Sequence, residues 1–298
     1  MKLPLASASR VRFDRRALAT AAMSASVQAR MNGGFDLLSP LCPYALCKAH
    51  GVQVRFTDIS MEGMYQRGTK PRIHLSALRP LARRAFTCVH ELGHHIFGHG
   101  STIDQLQDGV SLKSWDDPNE FLVDMFAGFV LMPTLGLRHA LARRGWLAHE
   151  LTPAQAFQVS SEFGVGYSTL VTHMARSLGM IPESHLIALR RTPPKAIRAA
   201  ILGRPHEPAL SCVDEHWEAP SLDVEVGGSV LLPMDTTVPV GTLREIGERA
   251  GARLFEATAP GIVKLGRLRA RKTLDVRISP ARFIGLAEFR HLEADPDE

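Results

Sequence analysis

The sequence predicts an α+β protein, with a mainly helical N-terminal part holding a small sheet and a small C-terminal α+β module. Three observations carry this. Residues 81–97 and 118–131 place apolar side chains at helical spacing. Residues 191–208 are crowded with Pro193, Pro194, Gly203, Pro205 and Pro208, and beyond them the texture turns to short stretches of strand length. We therefore expect one domain over residues 1–190, a linker over 191–208 and a second module over 209–298. A chain of 298 residues is long enough for two such units and can bury a core without disulfides.

The elements follow in order. Arg10, Arg12, Arg15 and Arg16 precede a run of small residues at 17–29, a pattern that superficially matches an export signal. Asp14 interrupts the basic region, and Leu18, Met23 and Val27 are the only large apolar residues in the run, so it reads as a surface helix. A short helix is expected at 43–50, an extended stretch at 52–56, a loop holding Gly63 and Gly68, and a short strand at 72–75. After the two long helices comes a helical pair, 153–163 and 168–178, joined by Gly164, Val165 and Gly166; Thr152 and Pro153 open it as N-cap and first-turn proline. In the module, strands are expected at 222–226, 230–232, 253–257, 261–265 and 274–278. One helix is expected between them, opened by Thr242 with Glu245 as a capping box and closed at Gly251.

Four scattered cysteines (Cys42, Cys47, Cys88 and Cys212) form neither a disulfide framework nor a structural metal site, which fits a reducing compartment. No apolar run approaches the roughly 18 residues of a membrane span, so a cytoplasmic protein without a membrane partner is expected. The net charge of +5 is mild and bears on solubility more than on fold.

The chemistry concentrates around residue 90. His90 and His94 are four residues apart, so on a helix their rings share a face and can share one cation. Glu91 lies beside them, where a general base for a metal-activated water belongs. Phe86, Val89, Ile96 and Phe97 would form the buried face. Two histidines need a third protein ligand and an open position for a catalytic site. Glu120 and Asp124 stand one turn apart on the next helix, continued by Ala127 and Gly128, small residues that would permit close helix packing. Glu120 is then the third ligand, and Asp124 would hold a ligand histidine from behind. The competing reading makes Glu120 a capping-box residue after Asp117 and Pro118.

The stretch 82–100, with Glu120 through Met132 and Pro133, resembles the ImmA/IrrE family of metallopeptidases. Phe86-Thr87, His90-Glu91, Gly93-His94, Glu120, Phe126-Ala127 and Leu131-Met132-Pro133 match its pattern in order. Val123 stands where alanine is usual and Asp124 where asparagine is usual; the second change is similar to thermolysin-like enzymes. The resemblance covers about residues 40–181. It implies a zincin-like domain in which His90, His94 and Glu120 bind Zn2+ and Glu91 activates water. It also implies a protein substrate of the helix-turn-helix repressor class, cut to relieve repression in a stress, mobile-element or defence response. Tyr44, His95, His99 and His173 stay open as further donors to the reacting carbonyl, and strand 72–75 is expected to edge the cleft.

Cys88 is expected in the core, and Cys212 reads as a buried thiol rather than as an inhibitory ligand. The 151–179 pair resembles a helix-turn-helix, yet its second helix offers only Arg176 as a cation, so we read it as packing within the peptidase unit. Arg267, Arg269 and Arg271 would project from one face of a strand, either as a charge-protected edge or as a site for nucleic acid or an anionic signal. The rival from another class is a non-catalytic regulator that keeps zinc and binds DNA or a repressor. A general peptidase acting on short peptides is a second.

Overall fold

The structure, a computed structural model, describes residues 13–104, 117–249, 251–267 and 272–296. The chain opens with α1 (Arg15–Asn32), α2 (Pro43–Ala49), β1 (Gln53–Thr57), β2 (Gly63–Gln66) and β3 (Arg72–Ser76). Then come α3 (Leu81–Ile96), β4 (Thr102–Asp104), α4 (Pro118–Leu131), α5 (Thr134–Arg143) and α6 (Pro153–Glu162). α7 (Tyr167–Thr172) runs on into a wider π turn, His173–Ser177, before α8 (Glu183–Arg190) and α9 (Pro194–Leu202). The remainder is β5 (Leu210–Cys212), β6 (Ser221–Glu225), β7 (Ser229–Pro233), β8 (Thr236–Thr237), β9 (Leu243–Arg249), β10 (Ala252–Ala257), β11 (Gly261–Arg267), β12 (Lys272–Ser279) and β13 (Gly285–Leu286).

The first sheet has the order β13-β1-β3-β2-β4, with β1 and β3 parallel and the other neighbours antiparallel. One face carries α3, whose Ala85, Cys88, Val89 and Leu92 are buried at helical spacing. The approach is close because β2 begins with glycine: a Cβ on Gly63 would lie 2.5 Å from Thr87 Cγ2 on α3. On its other side α3 meets α4 through Gly93, whose absent side chain leaves room for Val123 and Phe126. α1 packs on α4 with Ala22, Ser26 and Ala29. Its buried Arg30 donates to Val130 O at 2.6 Å, in the last turn of α4, and to Asp36 O at 2.6 Å and Ser39 O at 2.5 Å in the segment between α1 and α2. Burial pushes the Arg30 guanidinium down to about 10, against the opposing pull of the Asp36 charge. A helix read as surface decoration is thus one that holds α4 in place.

Beyond α9 two further sheets form, β5-β7-β10-β9 and β6-β12-β11-β8. Val230, Leu232, Phe255, Leu265, Leu274 and Val276 fill a second core, whereas Leu231 and Leu254 join the first. β7 is therefore buried on both faces, which is why its apolar residues run on without alternation.

Several expectations change. The helix expected at 242–251 is strand β9: Glu245 is paired across the sheet with Arg253 at 2.5 Å, Arg244 with Glu256 at 2.5 Å, and Gly247 takes φ 139°, outside any helix. Long-range pairing overrides the local capping signal, and among the described residues the C-terminal part holds strands with only a short 3-10 turn at Ala287–Phe289. Inside the expected linker lies α9; Pro194 starts it, and Gly203 ends it in the left-handed conformation at φ 64°. The punctuation that read as linker is a helix start and stop. β3 has neighbours on both sides, so β4 rather than β3 is the outermost strand on the α3 side among the described residues. Gly128 does not face α3; a Cβ there would meet the His173 ring at 2.8 Å. The stretch Pro118–Arg143 holds a window apolar enough to match a membrane span by composition, but 72% of that window is buried inside the fold and the helix breaks at Met132 and Pro133.

His173 supplies a pH-dependent term. Its Nε2–H donates to Met132 O at 3.1 Å, and burial pushes the ring down to about 4. An unfolded histidine titrates near 6.5, so the unfolded chain takes up the proton first as pH falls. The stability is present above about pH 6.5 and is lost through pH 4, about 3 kcal/mol in all. Urea unfolding at pH 7 and pH 4 should show a smaller pH loss in His173→Gln than in the wild type; equal losses would remove His173 as the cause.

Candidate metal centre

Two helices build the centre. Tight packing of α3 against β2 and α4 leaves His90 and His94 largely buried, one turn apart, with their Nε2 atoms 3.2 Å from each other. α4 begins at Pro118 with Asp117 as N-cap, its carboxylate accepting from Asn119 N at 2.8 Å and Glu120 N at 3.4 Å. Because Asp117 does the capping, the Glu120 side chain is turned to the histidines: Oε2 lies 3.3 Å from His90 Nε2 and Oε1 3.5 Å from His94 Nε2. The capping-box reading of Glu120 is not what its side chain does.

These distances test whether an ion fits. Ligands at 2.0–2.1 Å around a tetrahedral metal stand about 3.3 Å apart along each edge. The 3.2 Å between the two Nε2 atoms matches one such edge, and the Glu120 carboxylate spans the pair, one oxygen 3.3 Å from His90 Nε2 and the other 3.5 Å from His94 Nε2. Two imidazoles and a carboxylate suit a divalent ion of intermediate softness. Glu120 is the most exposed of the three, its side chain 27% open.

Each histidine is held from behind. His90 Nδ1–H donates to Asp124 Oδ1 at 2.8 Å, the arrangement expected from the spacing of Glu120 and Asp124. His94 Nδ1 lies 2.9 Å from His99 Nδ1, a contact the sequence reading did not assign. Its signal is Gly98: with φ 72° it reverses the chain after α3, and His99 N bonds back to His94 O at 2.9 Å. Donation from the Nδ1–H groups fixes both Nε2 lone pairs on the common point. Asp124→Ala and His99→Phe are each expected to weaken metal binding about 10- to 100-fold, read by competition with a chromophoric chelator. Unchanged affinity in either would reduce that contact to packing.

Glu91 follows His90 on α3 and is fully buried beneath β2. A Cβ on Gly63 would sit 3.4 Å from both Glu91 Cγ and Oε1, so the glycine keeps space over the carboxylate. Two residues along β2, Tyr65 meets the residue one helical turn beyond Glu91: its hydroxyl is 2.8 Å from His95 Nδ1. Burial pushes the His95 ring below the usual histidine range. Of the four open donor candidates, His99 touches a ligand histidine, whereas His95 is joined to Tyr65. Tyr44 is instead buried edge-on to Phe56 with the Arg290 guanidinium 4.8 Å above its ring, and His173 is bound to Met132.

The thiols stay in the core. Cys88 Sγ is 3.4 Å from Cys47 Sγ, and both are fully buried. Cys212 sits in β5 opposite Leu231, its thiol pushed up to about 12 by burial. Among the described residues the metal-ligating group is His90, His94 and Glu120 alone. Arg267 is the last residue of β11, while Arg269 and Arg271 lie outside the described residues.

Residues 47–171 match the family model of the IrrE N-terminal-like domain, peptidase family M78. That span runs from the end of α2 to α7 and takes in both helices of the candidate centre. No curated protein matches the chain. Over residues 47–171 the chain is thus similar to the ImmA/IrrE family of metallopeptidases.

Proposed function

We propose that the chain is a zinc-dependent endopeptidase with a zincin-like catalytic domain, acting on a partner protein in the cytoplasm. The observation that carries this is the convergence of His90, His94 and Glu120, with the two Nε2 atoms 3.2 Å apart and a Glu120 oxygen within 3.5 Å of each, and with Asp124 and His99 against the two imidazoles. Zinc, when bound, supplies Lewis acidity toward a water and toward the scissile carbonyl. Glu91 takes the proton from the attacking water and returns it to the leaving amine, which a carboxylate beside the ligands can do without leaving its place. The Asp124 carboxylate keeps the His90 proton on Nδ1, so Nε2 remains a lone pair throughout. An extended substrate segment can add to the outer edge of β4, with β4 between it and β2.

The substrate class proposed is a helix-turn-helix transcriptional repressor, cut to relieve repression in a stress, mobile-element or defence response. Its support is the match of residues 47–171 to the IrrE N-terminal-like domain. Comparing newly formed protein N-termini in cells carrying wild type or Glu91→Gln tests it. A new N-terminus inside a repressor, present only with the wild type, supports the reading. Equal cleavage of unrelated unstructured peptides would favour a general peptidase, and an unchanged regulatory response in Glu91→Gln would favour a non-catalytic regulator.

A further inference from the structure

A cavity of about 700 Å3 lies away from the metal centre, where the first turn of α3, the α6–α7 turn and strands β5 and β6 come together. We propose that it is a binding site for a small amphipathic organic anion, such as a medium-chain carboxylate, that bridges the peptidase domain and the C-terminal sheets. Its volume is that of a small-molecule site, and its walls are mainly apolar, with Phe157, Val165, Leu210 and Leu222 among them. The charges at its rim are unbalanced. Glu162 is held by Arg143 at 2.7 Å and Arg144 at 2.8 Å, Asp223 by Arg290 at 3.0 Å and Arg277 at 3.1 Å, and Glu225 by Arg84 at 2.7 Å. Two further rim arginines have no carboxylate within ion-pair distance among the described residues. Arg198 donates only to the carbonyls of His206 and Glu207, both at 3.4 Å, and the Glu207 carboxylate itself is held by Lys195 at 2.6 Å. Arg282 has only its backbone N–H engaged, by Glu225 Oε1 at 3.4 Å.

Arg282 adds an independent observation. Among the described residues it is the one non-glycine with positive φ, at 60°. The neighbouring Phe283 is anchored in the first core edge-on to Phe56, so the turn is held in this shape from one side. Glycine would adopt this conformation without strain, and strain of this kind is characteristically tied to a use of the side chain. An arginine here makes sense as a counter-charge at the mouth of an apolar cavity.

The test uses the full-length protein and a fluorescent fatty-acid probe, 11-(dansylamino)undecanoate, displaced by decanoate or by the uncharged decanol. Expected are saturable binding of one probe per chain and displacement by decanoate at least about tenfold better than by decanol. Arg282→Gly should weaken decanoate at least about tenfold while raising the thermal midpoint by about 2 °C, since strain is removed as charge is lost. Arg198→Ala carries the same affinity test without touching the turn. Absence of saturable binding, equal displacement by decanol, or decanoate affinity within twofold of wild type in both variants would overturn the proposal. The readout needs no catalysis, so it stands or falls separately from the peptidase reading.

Discussion

Glu91→Gln is expected to lower peptide-bond hydrolysis by about 100- to 10,000-fold while leaving zinc content and the thermal midpoint close to wild type. Glutamine has the shape of glutamate and fills the same slot under Gly63, so α3 and β2 keep their packing. What it loses is the ability to accept a proton from water, and the amide cannot hand one on to the leaving amine. The effect should fall on kcat with little change in KM, because Glu91 is buried and acts on the reacting atoms rather than on the body of the substrate. A variant that retains most of the wild-type rate with full zinc would show that another group moves the proton.

The second large effect concerns the ligands themselves. One zinc per chain is expected in wild type by mass spectrometry, and a loss of bound metal in His94→Ala and in Glu120→Ala. Losing one of three protein ligands should weaken affinity by more than the roughly 10- to 100-fold attached to the supporting contacts. Glu120→Ala is the sharper variant, because its side chain is partly exposed and the Asp117 cap that starts α4 is untouched. Its fold should therefore persist, and circular dichroism can confirm that the metal left an intact protein. Full zinc retention in Glu120→Ala would shift the third ligand to Asp124. Absence of zinc in wild type even after reconstitution would end the metal reading altogether.

The distribution of what could be read in advance follows interaction range. His90, Glu91 and His94 are legible because four-residue spacing on a helix is a local geometric fact, and α3 forms on its own periodicity. Glu120 and Asp124 are legible at one remove, since they share a helix face, but their contact with the histidines depends on two helices meeting at Gly93. Local chemistry also misled in two places. The prolines and glycine around α9 are helix signals as much as linker signals, and Thr242 with Glu245 imitates a helix start that cross-strand pairing with β10 overrules.

The amino-acid sequence alone determined the candidate metal-ligating residue types, their order and the helices that carry them, because those depend on spacing within one element. Only the tertiary structure decided that His99 folds back onto His94, that Arg30 caps α4, that β13 pairs with β1, and that two cores share β7. Each of these joins residues far apart in sequence or turned by a single glycine. Their energies come from burial and hydrogen bonds that exist only once the elements have met.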